Sequence, residues 1–250
     1  MRFFDGLAGI FAPEREVFRL VKGGTTYTIT EKLGKRAFRV NGKLYSMLSG
    51  DSIYVGSYWD YFSPLPSMFK KPRVLVIGLG IGTIPHQLTS MYGNAVSVTA
   101  VDNNPELPGL ARRFLPRSGR KFGMVVADGA RFVRKHRDYY DIIVQDAFVD
   151  LDVPREFLRQ GFMEDAKAAL TANGILAINY ISNFGHPMQY TNALRKHFRH
   201  VYTINRGLSG NYIIICSKGL GKHQMLSAIR SGMKTNAQNR RLIDAYSAMY

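Results

Sequence analysis

Cysteine occurs once in these 250 residues, so no disulfide can close within the chain. That residue, Cys216, sits inside the apolar run Asn211-Tyr-Ile-Ile-Ile-Cys-Ser217 and reads as a small core side chain rather than a nucleophile. Long hydrophobic runs are missing as well. No apolar stretch approaches the roughly 18 residues that a bilayer requires, and Met1-Arg-Phe-Phe-Asp5 lacks the ordered regions of a secretion signal. A cytoplasmic enzyme with no membrane span is expected. His197 and His200 stand three apart with no nearby acid or cysteine to complete a ligand set, so no metal is expected. Acid is scarce overall: 18 Asp and Glu face 34 Lys and Arg, for a net charge of +16. Basic groups gather at Arg112, Arg113, Arg117, Arg120 and Lys121, at Arg131, Arg134, Lys135 and Arg137, at Arg195, Lys196 and Arg199, and at Arg230, Lys234, Arg240 and Arg241. Without interleaved aromatics, these clusters argue for nonspecific attraction of an anionic partner, not for a recognition site.

The hydrophobic content of 46% can fill the core of one large α/β domain with a small appendage. Residues 25–48 read as a β meander: Thr25–Thr30, Arg36–Val40 and Lys43–Leu48, separated by Gly34 and by Asn41-Gly42, a strong hairpin signal. Tyr58-Trp59-Asp60-Tyr61-Phe62 follows, suited to a ligand wall or to packing between domains, and then Pro64 and Pro66 mark a boundary. This divides the chain into a β appendage with its aromatic connector, 1–66, and a larger domain, 67–250. From residue 73 strands alternate with helices expected at 83–92, 105–115, 129–137, 154–171 and 187–198, the fourth stopped by Asn173-Gly174. The closing strands, 200–205 and 211–216, are joined by a short turn and run antiparallel to each other. The fold class is α/β: a Rossmann-like seven-stranded sheet, mainly parallel with an antiparallel last strand, plus a small N-terminal β domain. One or two basic helices are expected over 221–250.

The stretch Val74-Leu-Val-Ile-Gly78-Leu-Gly80-Ile-Gly82-Thr83, followed by Val98-Thr-Ala-Val-Asp102, describes a buried strand, a glycine turn, a helix and a second strand ending in an acid. Glycines let the backbone pass close to a ligand, and a carboxylate about 20 residues later suits ribose hydroxyls. A dinucleotide fingerprint would place its third glycine at 83, where this chain has threonine, so NAD is disfavoured. Asp128-Gly129 and Asp146 end the next two apolar runs. Three successive strands thus finish on carboxylates at the edge where α/β sheets bind ligands. Asp102 is expected at the ribose, Asp128 at the adenine amine and Asp146 at the reacting end; each acid could singly cap a helix.

Beyond the glycine turn, Asp128-Gly-Ala-Arg-Phe132 and Tyr140-Asp-Ile-Ile-Val-Gln-Asp146-Ala-Phe148 make residues 25–218 resemble the spermidine synthase family of aminopropyltransferases. The resemblance implies transfer of an aminopropyl group from decarboxylated S-adenosylmethionine to a small-molecule polyamine amine. It implies Gly78, Gly80, Gly82, Asp102, Asp128 and Gly129 at the nucleoside, Asp146 as base with Tyr58 as the second catalytic residue, and Asp60 and Asp150 at the acceptor. The β appendage leads to the expectation of a homodimer. The chain departs from the family where a donor-contacting aspartate becomes Ile81, where a second motif aspartate becomes Val149, and where Trp59 interrupts the aromatic-acid segment. A methyltransferase using intact S-adenosylmethionine is the alternative reading, and a noncatalytic basic binding module the third.

Overall fold

A computed structural model describes residues 13–116, 122–149, 153–181, 187–205, 210–234 and 236–250. The first sheet is a meander of four antiparallel strands, β1 (Arg15–Lys22), β2 (Thr25–Lys32), β3 (Lys35–Val40) and β4 (Lys43–Ser49). All three hairpins close through two residues with positive φ: Gly23-Gly24, Leu33-Gly34 and Asn41-Gly42. This is the turn that matches the natural twist of paired strands. The meander is one strand longer than expected, because the sheet begins at β1, an edge strand too charged to read as half-buried.

The second sheet has seven strands: β5 (Arg73–Ile77), β6 (Ser97–Asp102), β7 (Gly123–Val126), β8 (Tyr140–Gln145), β9 (Leu170–Ile181), β10 (His200–Asn205) and β11 (Asn211–Ser217). Their order is β10-β11-β9-β8-β5-β6-β7, parallel from β9 to β7, with β11 antiparallel to both neighbours. Val74, Leu75, Val76 and Ile77 are all buried, as a central strand covered on both faces must be. The described helices are α1 (Thr83–Tyr92), α2 (Leu107–Phe114), α3 (Gly129–Arg134), α4 (Arg155–Leu158), α5 (Gln160–Ala169), α6 (Met188–Arg195), α7 (Lys222–Gly232) and α8 (Ala237–Ser247). None of the described helices is long and apolar enough to cross a membrane. Cys216 is buried in β11.

The helix expected over 154–171 is instead two, and Asn173-Gly174 is no helix stop. The pairing of β8 with β9 jumps from Tyr140–Leu170 to Ile142–Ile175, so Asn173-Gly174 lies in a bulge that β9 makes before it settles into register.

The small sheet is joined to the large one through the glycine turn. Ile81 N–H donates to Ser46 Oγ at 3.0 Å, Thr83 Oγ1 donates to Met47 O at 2.9 Å, and Met47 N–H donates back to Thr83 Oγ1 at 3.2 Å. Tyr27, Ile29, Phe38 and Leu48 share one apolar core with Val74, Val76 and Ile84.

Candidate active site

A cleft of about 550 Å³ lies at the carboxyl ends of β5, β6 and β8, with β4 and the 3-10 turn Tyr58–Phe62 closing its other side. Such crevices form where successive connections leave the sheet in opposite directions, here between β5 and β8. Gly78, Gly80, Asp102, Asp128, Gly129, Tyr58 and Asp146 all line it, so most residues expected at the site from the sequence meet in one place.

The glycine turn is shaped as much by protein as by ligand space. Gly78, Gly80 and Gly82 all have positive φ. A Cβ on Gly78 would strike the Asp146 carbonyl and one on Gly80 would strike Ser46 Oγ. Gly82 does not line the cleft; its Cα faces Phe122 and Leu115. Thr83, where a dinucleotide fold would have glycine, fastens the small sheet.

Asp102 closes β6 and is already engaged: Leu79 N–H donates to Oδ2 at 2.8 Å and Asn104 N–H donates to Oδ1 at 3.0 Å. Burial raises its pKa, and the hydrogen bonds from Asn104, Leu79, Gly80 and Asn103 pull it back. Asp128 lines the cleft and also caps α3, accepting from Arg131 N–H at 2.7 Å, so the helix-cap reading is realised alongside the cleft position.

Asp146 follows β8, and each of its oxygens accepts from a fixed neighbour, with Tyr58 beside them. Asn179 Nδ2 donates to Oδ1 at 2.8 Å and Trp59 Nε1 donates to Oδ2 at 3.1 Å. Burial pushes its carboxyl up to about 7, against the pull of hydrogen bonds from Asn179, Tyr58 and Trp59. Burial, then the neighbouring Asp146, drives the Tyr58 phenol well above its ordinary value, so it stays protonated at neutral pH. The cleft therefore pairs a carboxylate poised near neutrality with a fixed phenol.

Asp60 is a correction to the expected set. It is buried away from the cleft, where its carboxylate accepts from Val55 N–H at 3.0 Å, Gly56 N–H at 2.8 Å and Gln87 Nε2 at 2.7 Å. Neighbouring residues of a tight 3-10 turn point apart, so Tyr58 and Trp59 reach the cleft while Asp60 turns back to anchor the loop. Ile81 is wholly buried and off the cleft wall. Asp150 lies outside the described residues. Asn179, Asn211 and Glu156 were missed: each asparagine borders an apolar run of its strand, Ile175–Ile178 or Ile213–Cys216, a pattern that could have flagged them, whereas exposed Glu156 on α4 carries no signal.

Asp102, Asp128, Asp146 and Glu156 line the cleft, and among the described lining residues none is Lys, Arg or His. In a chain of net charge +16 this is a local inversion of sign that favours a cationic ligand bearing hydroxyls and amines.

Residues 58–236 match the family described as Spermine/spermidine synthase domain. The chain is 39% identical over 112 residues to a polyamine aminopropyltransferase of Chromobacterium violaceum, covering 44% of this chain and 42% of that protein. It is 27% identical over 161 residues to one of Neisseria meningitidis serogroup A, covering 63% and 61%. These matches span less than two thirds of either relative. A crystal structure of spermidine synthase in complex with the transition state analogue AdoDATO superposes with a TM-score of 0.73 at 18% identity, covering 94% of this chain and 85% of that one, and so shares the fold. With the family match extending from the aromatic turn to the end of α7, the chain belongs to the spermine/spermidine synthase family.

Proposed function

We propose that the protein transfers an aminopropyl group from decarboxylated S-adenosylmethionine to the amine of a polyamine-type acceptor. The observation that carries this reading is the cleft lined by four carboxylates and, among its described residues, by no basic side chain. A decarboxylated donor is a sulfonium with an ammonium tail and suits such walls; an intact donor brings a carboxylate against them.

Asp102 and Asp128 would hold the ribose and adenine ends, with Gly78 and Gly80 admitting the ligand close to the backbone. The acceptor amine enters as an ammonium and must lose a proton before it can attack. Asp146, ionised above about pH 7, is suited to accept that proton. The nitrogen lone pair then forms a bond to the aminopropyl carbon as the carbon–sulfur bond breaks. Its electron pair returns to sulfur, leaving a neutral thioether nucleoside. Tyr58, protonated beside Asp146, helps fix the carboxylate.

Methyl transfer from intact S-adenosylmethionine is the second reading, favoured by the absence of an aspartate at Ile81, although that side chain is turned off the cleft wall. Calorimetry with both donors separates the two. Binding of the decarboxylated form at least tenfold tighter is expected, and preference for the intact form would transfer the conclusion to methylation. Asp146→Asn should keep donor affinity within about twofold and lose about 10²–10⁴ in kcat; an unchanged rate would remove Asp146 as the base.

A further inference from the structure

Three adjacent strands each place one polar residue in a single line leading to Asp146. Asp146 and Asn179 lie one step beyond the last register pair of β8 and β9, Gln145–Ile178. Asn211 starts β11 opposite Ile181, two residues from Asn179 and so on the same face of the sheet. Asn211 Nδ2 donates to Asn179 Oδ1 at 2.9 Å, and Asn179 Nδ2 donates to Asp146 Oδ1 at 2.8 Å. Asn179 is 0% exposed and Asn211 8%.

We propose that Asn179, seated by Asn211, is a positioning residue that aims the Asp146 carboxylate at the incoming amine. This rests on Asp146 serving as the base in the reaction above. The physical argument is the polarity of the amide. With Asn211 donating to its oxygen, Asn179 can present only its NH2 to Asp146; a flip would set NH2 against NH2 and oxygen against carboxylate, both unfavourable in a buried site. Trp59 fixes the second oxygen. The carboxylate is thus held on both sides by donors that cannot reverse, with Tyr58 as a third donor, and the lone pairs these three leave face the substrate. Tyr58 is the other titratable group at Asp146, and Asp102, Asp128 and Glu156 are the other charged groups of the cleft.

Trp59 is the chain's single tryptophan, so its fluorescence reports the protonation of Asp146 without any need for turnover. In the full-length protein that signal should titrate near pH 7 and lose the transition in Asp146→Asn. Removing the Asn179 donor takes away the strongest hydrogen bond favouring the carboxylate. Asn179→Ala should therefore move both the fluorescence midpoint and the acid limb of kcat upward by at least half a pH unit. It should also lower kcat at pH 7 by at least tenfold, with donor affinity within twofold. Asn211→Ala, less buried and so the safer variant for folding, should shift both in the same direction by less. That shift should vanish in the Asn179→Ala background. Unchanged midpoint and kcat in Asn179→Ala, or additive effects of the two substitutions, would overturn the proposal. If the parent protein turns over no aminopropyl donor, the aminopropyl reading falls, whereas the fluorescence midpoints still decide whether Asn179 governs Asp146.

Discussion

At the scale of single residues, the proposed base Asp146 also bears on stability. Its folded-state pKa, pushed up to about 7, lies above the value near 3.9 expected in the unfolded chain. The folded state therefore holds this proton more tightly. The resulting contribution to stability is complete below about pH 4 and is lost as pH rises through about 7. Asp146→Asn lacks this term. Its melting temperature relative to the parent should rise across that window and then level off, as a calorimetric series at fixed ionic strength would show; a constant offset from pH 4 to 8 would contradict the assignment. The three strand-end acids were legible because they recur at the ends of three successive apolar runs, a register that single helix caps do not explain. Asp60 was misread because residue type is visible in sequence but the direction of a side chain in a 3-10 turn is not. The role of Asn179 was invisible for a related reason: it depends on Asn211, 32 positions later, reached only when β11 inserts beside β9.

At the scale of elements, the contact between the glycine turn and β4 decides what the turn tolerates. Gly80 has φ +53 and its Cβ would meet Ser46 Oγ. Gly80→Ala should destabilise by about 2–4 kcal/mol, from left-handed strain together with overpacking. Ser46→Ala removes the acceptor for the Ile81 N–H and should lose about 1–3 kcal/mol. Because Ser46→Ala also removes the clashing oxygen, the double variant should lose less than the sum of the two. Urea unfolding of the four proteins measures this, and strict additivity would show that the two positions do not meet. The large sheet was readable strand by strand from its apolar runs. The first hairpin escaped notice although Gly23-Gly24 carried the turn signal, because Arg15-Glu-Val-Phe-Arg-Leu-Val-Lys22 is an edge strand in which only Val17, Phe18 and Leu20 are half-buried, without clean alternation. Asn173-Gly174 misled because the same dipeptide serves a helix end and a strand bulge, and only the pairing of β9 with β8 separates the two.

At the scale of the whole molecule, a basic exterior surrounds an acidic cleft, and the two act over different distances. The Debye length falls from about 30 Å at 0.01 M salt to about 10 Å at 0.1 M. Added salt should screen the repulsion between a +16 body and a cationic acceptor more than it weakens contacts inside the cleft. The kcat/KM for the acceptor should therefore rise over that range in stopped-time assays. A fall would mean that the field of the cleft acids already dominates outside its mouth.

The bonds from Ser46 and Met47 to the glycine turn have an evolutionary corollary. A shelf whose shape is set by a neighbouring sheet cannot be grafted, trimmed or diversified alone. Any chimera exchanging residues 13–49 must bring a hydroxyl at position 46, or the cleft it was meant to preserve will arrive already deformed.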